Sequence, residues 1–351
     1  MSLGRQGSSS AGRLRAMAFM VVFGLLLTVA GWAQGVCAVC GKAVQGRYLQ
    51  AAGRVFCSPE CFRKTLPVCA VCGAVLEGHH LVYEGRHYCS EACFQRILPT
   101  CTICGQPLQE SFTIKGRTYC KAHAEGTRCD ACRLPVGRGE TLPDGRVLCR
   151  DCRAAAVLDI RAAAGLYTRA GALVAGVAGR ALPPAPTLAL VGRDQLPAHS
   201  GLDASVSIRE LGRYLRDATT TTSRNVFGKV LKEETRVSRR IIILYGLLPD
   251  RFLSTAVHER THDLIAECYP AFDQQAPAWA EEGLCQYTAA LVCRRLGYAE
   301  RVQEIESADD AVYGDGYRWF VRHFGSDGWT EVRRWLDRGG FAGLPRRAPA
   351  A

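Results

Sequence analysis

Between Cys37 and Cys152 the chain repeats one pattern four times: two cysteines separated by two residues, then a second pair of metal-ligand residues further on. Nothing else in the sequence limits the fold as tightly. Cys37 and Cys40 are followed by Cys57 and Cys61, and Cys69 and Cys72 by Cys89 and Cys93. Cys101 and Cys104 go with Cys120 and His123, and Cys129 and Cys132 with Cys149 and Cys152. The copies start 32, 32 and 28 residues apart, the mark of a true repeat. Gly53-Arg54, Gly85-Arg86, Gly116-Arg117 and Gly145-Arg146 supply a turn before each second pair. A two-residue spacing sets both thiolates on one side of a tight turn, where they reach one metal at about 2.3 Å.

Disulfides compete for the same cysteines, and the count argues against them. Fifteen cysteines lie in the repeats, an odd number, and His123 fills the sixteenth place. Histidine substitutes for a thiolate on zinc but cannot join a disulfide. Units shorter than about 40 residues bury too little surface to fold alone, so metal would supply much of the folding free energy. The expectation is four structural zinc ions in tandem zinc-ribbon-like fingers over residues 37–152.

Charge says little for nucleic acid. The formal net charge is +11, and residues 34–155 carry 16 basic and 10 acidic side chains, or +6. Three four-thiolate zinc sites at −2 each and one three-thiolate site at −1 contribute −7 in total and turn that +6 into −1. No basic run or basic-aromatic stripe remains to serve as a nucleic-acid face.

Residues 1–33 read as a targeting segment. Arg5, Arg13 and Arg15 precede the uncharged run from Ala16 to Ala33, and Gly31 and Ala33 have the small side chains expected at a cleavage site. The expectation is an exported chain, periplasmic, secreted or held at the outer face of a membrane. Left uncleaved, residues 16–33 would be a membrane anchor.

After the fingers, Ala154 to Ala181 has apolar residues at helical spacing and Pro183, Pro184 and Pro186 end it, predicting a helical and Pro-rich linker over 153–186. Thr187 to Gly192 reads as a strand, Ile208 to Ala218 as a helix with Leu211 and Leu215 on one face, and Thr219–Thr222 as a loop. Ile241 to Tyr245 is a β-branched strand. Beyond it, Asp250 or Ser254 would cap a helix burying Phe252, Leu253, Ala256, Val257, Leu264 and Ile265.

That helix carries His258-Glu259-Arg260-Thr261-His262. Histidines four apart share one helix face, so both rings reach a single metal. Glu259, one position along, falls beside the metal's open position, where it can take a proton from water. A third ligand must come from another element, and Trp279-Ala280-Glu281-Glu282-Gly283-Leu284 opens one. Glu281 and Glu282 are the acids there, and the E-G pair resembles the W-x-x-E-G stretch of gluzincin peptidases, which implies Glu282 as the ligand with Glu281 second. Tyr313-Gly314-Asp315-Gly316-Tyr317 precedes an expected helix from Arg318 to Phe324. This layout resembles the helix that follows the third ligand in small gluzincins, which implies Tyr313, ahead of Tyr317 and His323, as donor of a hydrogen bond to a developing oxyanion. Cys268, Cys285 and Cys293 could supply one disulfide, with packing the ordinary job of Cys285. His79, His80 and His87 read as solvated hairpin surface.

Two resemblances follow from these residues. The repeats are similar to LIM domains, although LIM fingers are more tightly spaced than the seven residues between Cys61 and Cys69 or between Cys93 and Cys101. IIILYGLLPDRFLSTAVHERTHDLI followed by AWAEEGLCQYTAALV resembles the LIM-domain-containing, ubiquitin-activated metallopeptidases of plants and their bacterial relatives, through Gly246, Leu248, Pro249, His258, Glu259, His262, Glu281, Glu282, Gly283, Cys285 and Gln286. The resemblance implies an α+β minimal gluzincin domain over 187–340 that hydrolyses peptide bonds, with His258, His262 and Glu282 on one catalytic zinc and Glu259 as base. Arg260, Thr261 and Asp263 depart from that family's apolar or small residues, and no ubiquitin-interacting helix is found. The function expected is a zinc metallopeptidase acting on a protein or peptide, its fingers binding a substrate or partner. The alternatives are a non-catalytic zinc-binding adaptor with a peptidase-like domain, or thiol chemistry at the C-x-x-C pairs.

Overall fold

The computed structural model describes residues 19–21, 27–29, 35–196, 211–224 and 230–348. The cleavage-site residues Gly31 and Ala33 lie outside them, as does most of the apolar run. Among the described residues, no helix is long and apolar enough to cross a membrane. The chain is α+β and divides into two compact units, residues 1–128 with 133–137, and residues 129–132 with 138–351.

The first unit holds three fingers. Two short strands, β1 (Phe19–Val21) and β2 (Leu27–Val29), pair with finger hairpins. The first finger has β3 (Tyr48–Ala51), β4 (Arg54–Phe56) and α1 (Pro59–Arg63). The second has β5 (His80–Tyr83), β6 (Arg86–Tyr88) and α2 (Glu91–Gln95), and the third β7 (Phe112–Ile114), β8 (Arg117–Tyr119) and α3 (Lys121–Ala124).

Each hairpin turns on two residues with positive φ, Ala52-Gly53, Glu84-Gly85 and Lys115-Gly116. This is the turn geometry that matches strand twist, and it needs glycine at one of its two central places. The arginine after each glycine therefore opens the returning strand instead of sitting in the turn. Spacing in the second pair follows from capping. Ser58 and Ser90 cap α1 and α2 by accepting from the Cys61 and Cys93 amides, so those ligands stand four apart. In the third finger Cys120 itself occupies the cap position, and His123 follows three later.

The second unit begins with β9 (Gly139–Thr141), β10 (Val147–Cys149) and α4 (Arg150–Ala155) of the fourth finger. Then come α5 (Ile160–Ala178) and a three-stranded sheet of β11 (Thr187–Val191), β12 (Gly212–Arg224) and β13 (Val230–Leu244). Its order is β11-β13-β12, with β11 parallel and β12 antiparallel to the central β13. The helices that follow are α6 (Pro249–Cys268), α7 (Pro270–Gln275), α8 (Ala278–Leu296), α9 (Ala299–Glu306), α10 (Tyr313–Phe324) and α11 (Trp329–Asp337). One apolar core runs through α5, α6, α8, α10 and the Ile241–Leu244 end of β13.

Several expectations need correction here. Residues 153–186 are not a linker. Asp159 caps α5 by accepting from the Arg161 and Ala162 amides at 2.9 Å, and Ala163, Tyr167, Ala170 and Val174 are buried in the core. The proline stretch is bonded in place too, since the Tyr167 hydroxyl donates to the Pro186 carbonyl at 2.8 Å. Of the helix expected over 208–218, residues 208–210 lie outside the described residues and 212–218 are strand. Thr219–Thr222 continue that strand, paired with Glu233–Arg236 of β13. Leu211 and Leu215 are spaced for a helix turn, but a neighbouring strand and a β-branched threonine run favour extended backbone. The α6 helix starts at Pro249 with Leu248 in the cap position, so neither Asp250 nor Ser254 caps it. Its expected buried residues, Phe252, Leu253, Ala256, Val257, Leu264 and Ile265, are all buried.

Candidate metal centres

In all four fingers a knuckle amide bonds the facing strand, as Ala38 N to Val55 O, Ala70 N to His87 O, Thr102 N to Thr118 O and Asp130 N to Val147 O. This crossing brings the two ligand pairs together. Three sets of four cysteines and the Cys101, Cys104, Cys120 and His123 set each converge closely enough to hold a metal ion. Sulfur separations include 3.5 Å for Cys40–Cys57 and for Cys57–Cys61, 3.6 Å for Cys72–Cys89, and 4.0 Å for Cys132–Cys149. They match the edge of a tetrahedron with arms of about 2.3 Å, roughly 3.8 Å, and not a bonded sulfur pair. Nδ1 is the His123 atom turned inward, 3.0 Å from Cys120 Sγ and 3.5 Å from Cys101 Sγ.

Backbone amides prepare the first thiol of each finger. The knuckle amide of Cys40 and the amides of Cys57 and Val39 hold Cys37 down to about 6, and Cys69 is held to about 6 in the same way. At Cys101 burial opposes the effect, but the amides of Cys104, Cys120 and Ile103 prevail and bring it to about 6. Thiolates, not thiols, bind metal, so these positions are ready ligands.

Three histidines of the finger region, His79, His80 and His87, lie outside these sets. His80 is buried, with Nδ1 2.9 Å from the Gly78 carbonyl and Nε2 2.8 Å from His87 Nδ1. That corrects its reading as solvated hairpin surface.

The fifth cluster is in the second unit. His258 and His262 lie one turn apart on α6, and α8 presents Glu281, Glu282 and Cys285 to them. His258 Nε2, His262 Nε2 and Glu282 Oε2 form a triangle with sides of 3.0, 3.3 and 3.4 Å. A tetrahedral ion with arms of about 2.0 Å has edges of about 3.3 Å, so these three atoms fit one face of its coordination shell. Glu281 takes a different part. Its Oε1 lies 2.7 Å from His262 Nδ1, on the far side of the ring, where a carboxylate fixes tautomer and orientation.

Cys285 is fully buried in the apolar core, as its expected packing role requires, and its sulfur also converges with the two imidazoles as a metal donor; all eighteen cysteines are free. Three positions beyond Glu282 on the same helix, it shares Glu282's face. That spacing was the available signal.

Glu259 lies close enough to His258, His262 and Glu282 to feel their charge. It is buried, and burial raises its pKa, with His258 and His262 opposing that shift. A Cβ on Gly212 would lie 3.0 Å from its Cγ and Oε1, so the start of β12 closes over this carboxylate without a side chain. Burial alone would lower the pKa of His262, yet Cys285, Glu282 and Glu281 together drive it well above the usual value. The same concentration of acceptors that holds a proton there suits a divalent cation.

Arg260 and Asp263 turn away from the cluster. Asp263 is fully buried and accepts from Arg260 at 2.9 Å and Arg239 at 2.8 Å, while Arg239 also donates to the Pro184 carbonyl. Asp263 therefore ties α6 to β13 and does not orient a metal-ligand histidine.

Helix α10 begins at Tyr313, five residues before the expected start, and its first ring lies 6.1 Å from His258. Close helix crossing puts it there. A Cβ on Gly283 would come within 2.5 Å of Gly316 backbone, and one on Gly316 within 2.2 Å of the Trp279 carbonyl. Thus the glycine after Glu282 is what lets α10 approach. Tyr317 and His323 face elsewhere. The Tyr317 hydroxyl meets Glu306 and Arg294, and His323 stacks on Trp319 at 4.0 Å.

No family model matches the chain, and no curated protein matches it significantly.

Proposed function

We propose that the second unit is a zinc metallopeptidase of gluzincin type, with His258, His262 and Glu282 as zinc ligands and Glu259 as general base. The reading rests on the resemblance of its motif stretches to the LIM-domain-containing metallopeptidases. The observation that carries it is the triangle of two imidazole nitrogens and one carboxylate oxygen at tetrahedral edge lengths, with a separate buried carboxylate alongside. A zinc ion held there supplies Lewis acidity, polarising a carbonyl and lowering the pKa of water to about 7. Glu259 takes a proton from the attacking water as its oxygen bonds to the peptide carbon. The same carboxyl then returns the proton to the amide nitrogen as the C–N bond breaks. Its burial-raised pKa makes the carboxyl a better acid for the second transfer. Tyr313, beside His258, donates a hydrogen bond to the carbonyl oxygen as charge develops. Glu281 keeps His262 in the tautomer that offers Nε2 inward.

The fingers of the first unit carry four-donor sites with no place left for a substrate atom, as structural sites do. In this reading they hold zinc and present surface to a protein substrate or partner outside the cell. The experiment is Glu259→Gln in the full chain. Loss of peptide-bond cleavage with all five zinc ions retained is the expected result, and undiminished cleavage overturns the assignment. A wild-type chain that holds only four ions and cleaves nothing would instead be the adaptor.

A further inference from the structure

The fourth finger keeps different company from the other three. Its ligands Cys129, Cys132, Cys149 and Cys152 all belong to the second compact unit, together with the HExxH helix. The tip of its β9–β10 hairpin is clamped to the turn between β13 and α6. Arg146 is buried, and its Nη2 donates to the Tyr245 carbonyl at 2.6 Å while its Nε donates to Asp144 at 2.8 Å. The Tyr245 ring covers the same guanidinium at 5.2 Å, and its hydroxyl accepts from the Asp144 amide at 3.2 Å. Asp144 also accepts from the Arg193 amide, at the end of β11, at 3.0 Å. Leu142 is buried against Gly246. Immediately after the finger, Val157 and Leu247 form a two-bond bridge, Val157 N to Leu247 O at 2.8 Å and Gly246 N to Val157 O at 2.6 Å. Pro249, the first residue of the helix bearing His258 and His262, comes two residues later.

These contacts converge on three residues, Tyr245 to Leu247, in the turn from which α6 starts. A finger of this size has its hairpin shape only while its metal is bound. We propose that the metal of the fourth finger is a structural ion of the metallopeptidase unit and not part of the recruiting array: through the Leu142–Arg146 tip it fixes the turn from which α6 springs, so that occupancy of the Cys129, Cys132, Cys149 and Cys152 site strengthens metal binding at His258, His262 and Glu282. Linkage makes the coupling reciprocal. The proposal rests on the zinc reading above, but its test does not depend on proteolysis.

Four of the five tryptophans, Trp279, Trp319, Trp329 and Trp335, lie in this unit, so tryptophan emission follows its unfolding. Three full-length variants are compared with wild type: Cys132→Ser with Cys149→Ser in the fourth finger, Cys40→Ser with Cys57→Ser in the first, and Arg146→Gln, which keeps all four thiolates. Melting of the tryptophan signal should fall by about 5 °C or more in the fourth-finger and Arg146→Gln proteins and stay unchanged in the first-finger protein. On dialysis against limiting zinc, the fourth-finger variant should lose two ions and the first-finger variant one. If the cysteine variant is insoluble, Arg146→Gln decides alone. Unchanged melting in Arg146→Gln, or an equal drop in the first-finger control, overturns the proposal. A wild-type chain that melts as described yet cleaves nothing would sink the peptidase reading and leave this one standing.

Discussion

In the second finger the buried apolar cluster is Tyr88, Phe94 and Leu98, whereas the second unit buries one continuous core from Val157 to Phe341. The two regions therefore meet the entropy of folding by different means. The finger has three core side chains and four side chains that can ligate a metal, so with metal bound its fold and its ligand geometry would be one event. The helical unit has a hydrocarbon core, and in the proposed reading that scaffold holds two histidines and a glutamate with one coordination position left for water, because burial pushes the Cys285 thiol up to about 12 and keeps it protonated. Closed sites and open sites differ because something other than metal must hold an open one together.

Removing metal altogether should break the comparison most visibly. Exhaustive chelation is expected to abolish amide-exchange protection in residues 37–124, while residues 252–265 of α6 and 284–292 of α8 stay protected. Equal loss in both regions would mean that the apolar core does not carry the second unit. Next in size is Glu259→Gln, expected to lower kcat/KM by about 10³-fold with zinc content unchanged. The wild-type acid limb should lie above a carboxylate's ordinary pKa, because burial raises that of Glu259 and the base works only when ionised. Activity is thus lost as pH falls through that raised value, and a profile flat to pH 4.5 would contradict it.

Glu281→Gln should weaken metal binding at the HExxH site by about 10- to 100-fold while leaving finger metals untouched, read by competition with a chelator. An unchanged affinity would remove Glu281 from the orienting role. Smallest is the capping contrast inside the array. Ser58→Ala and Ser90→Ala each remove a cap from a short finger helix and should cost about 1 kcal/mol in the folding of that finger. The third finger has no such side-chain cap to lose.

The fingers were almost wholly legible, because their ligands are local. Each C-x-x-C knuckle and its partner pair sit in one short segment, and the odd cysteine count with His123 in the sixteenth place already excluded a full set of disulfides. The HExxH pair was legible for the same reason, a helix placing residues four apart on one face. Glu282 was legible through the E-G pair, although why glycine must follow it was not. That reason is the approach of Gly316 from a helix thirty-three positions on, a contact that no local pattern encodes.

What periodicity misjudged is instructive in the same terms. Leu211 and Leu215 fit a helix as well as a strand, and the pairing of β12 along β13 decided between them. The helix at 160–178 reads as a linker when seen beside its prolines, yet its small face of Ala163, Ala170 and Val174 is what lets it pack into the core. By itself the sequence determined which side chains can bind metal and how they are grouped, since ligand type and spacing are properties of adjacent residues. Only the tertiary structure decided that Cys285 shares the histidine cluster, that Asp263 serves arginines instead of a ligand, and that the fourth finger belongs with α6. Each of those depends on distant segments excluding water and meeting at contact distance, which folding alone settles.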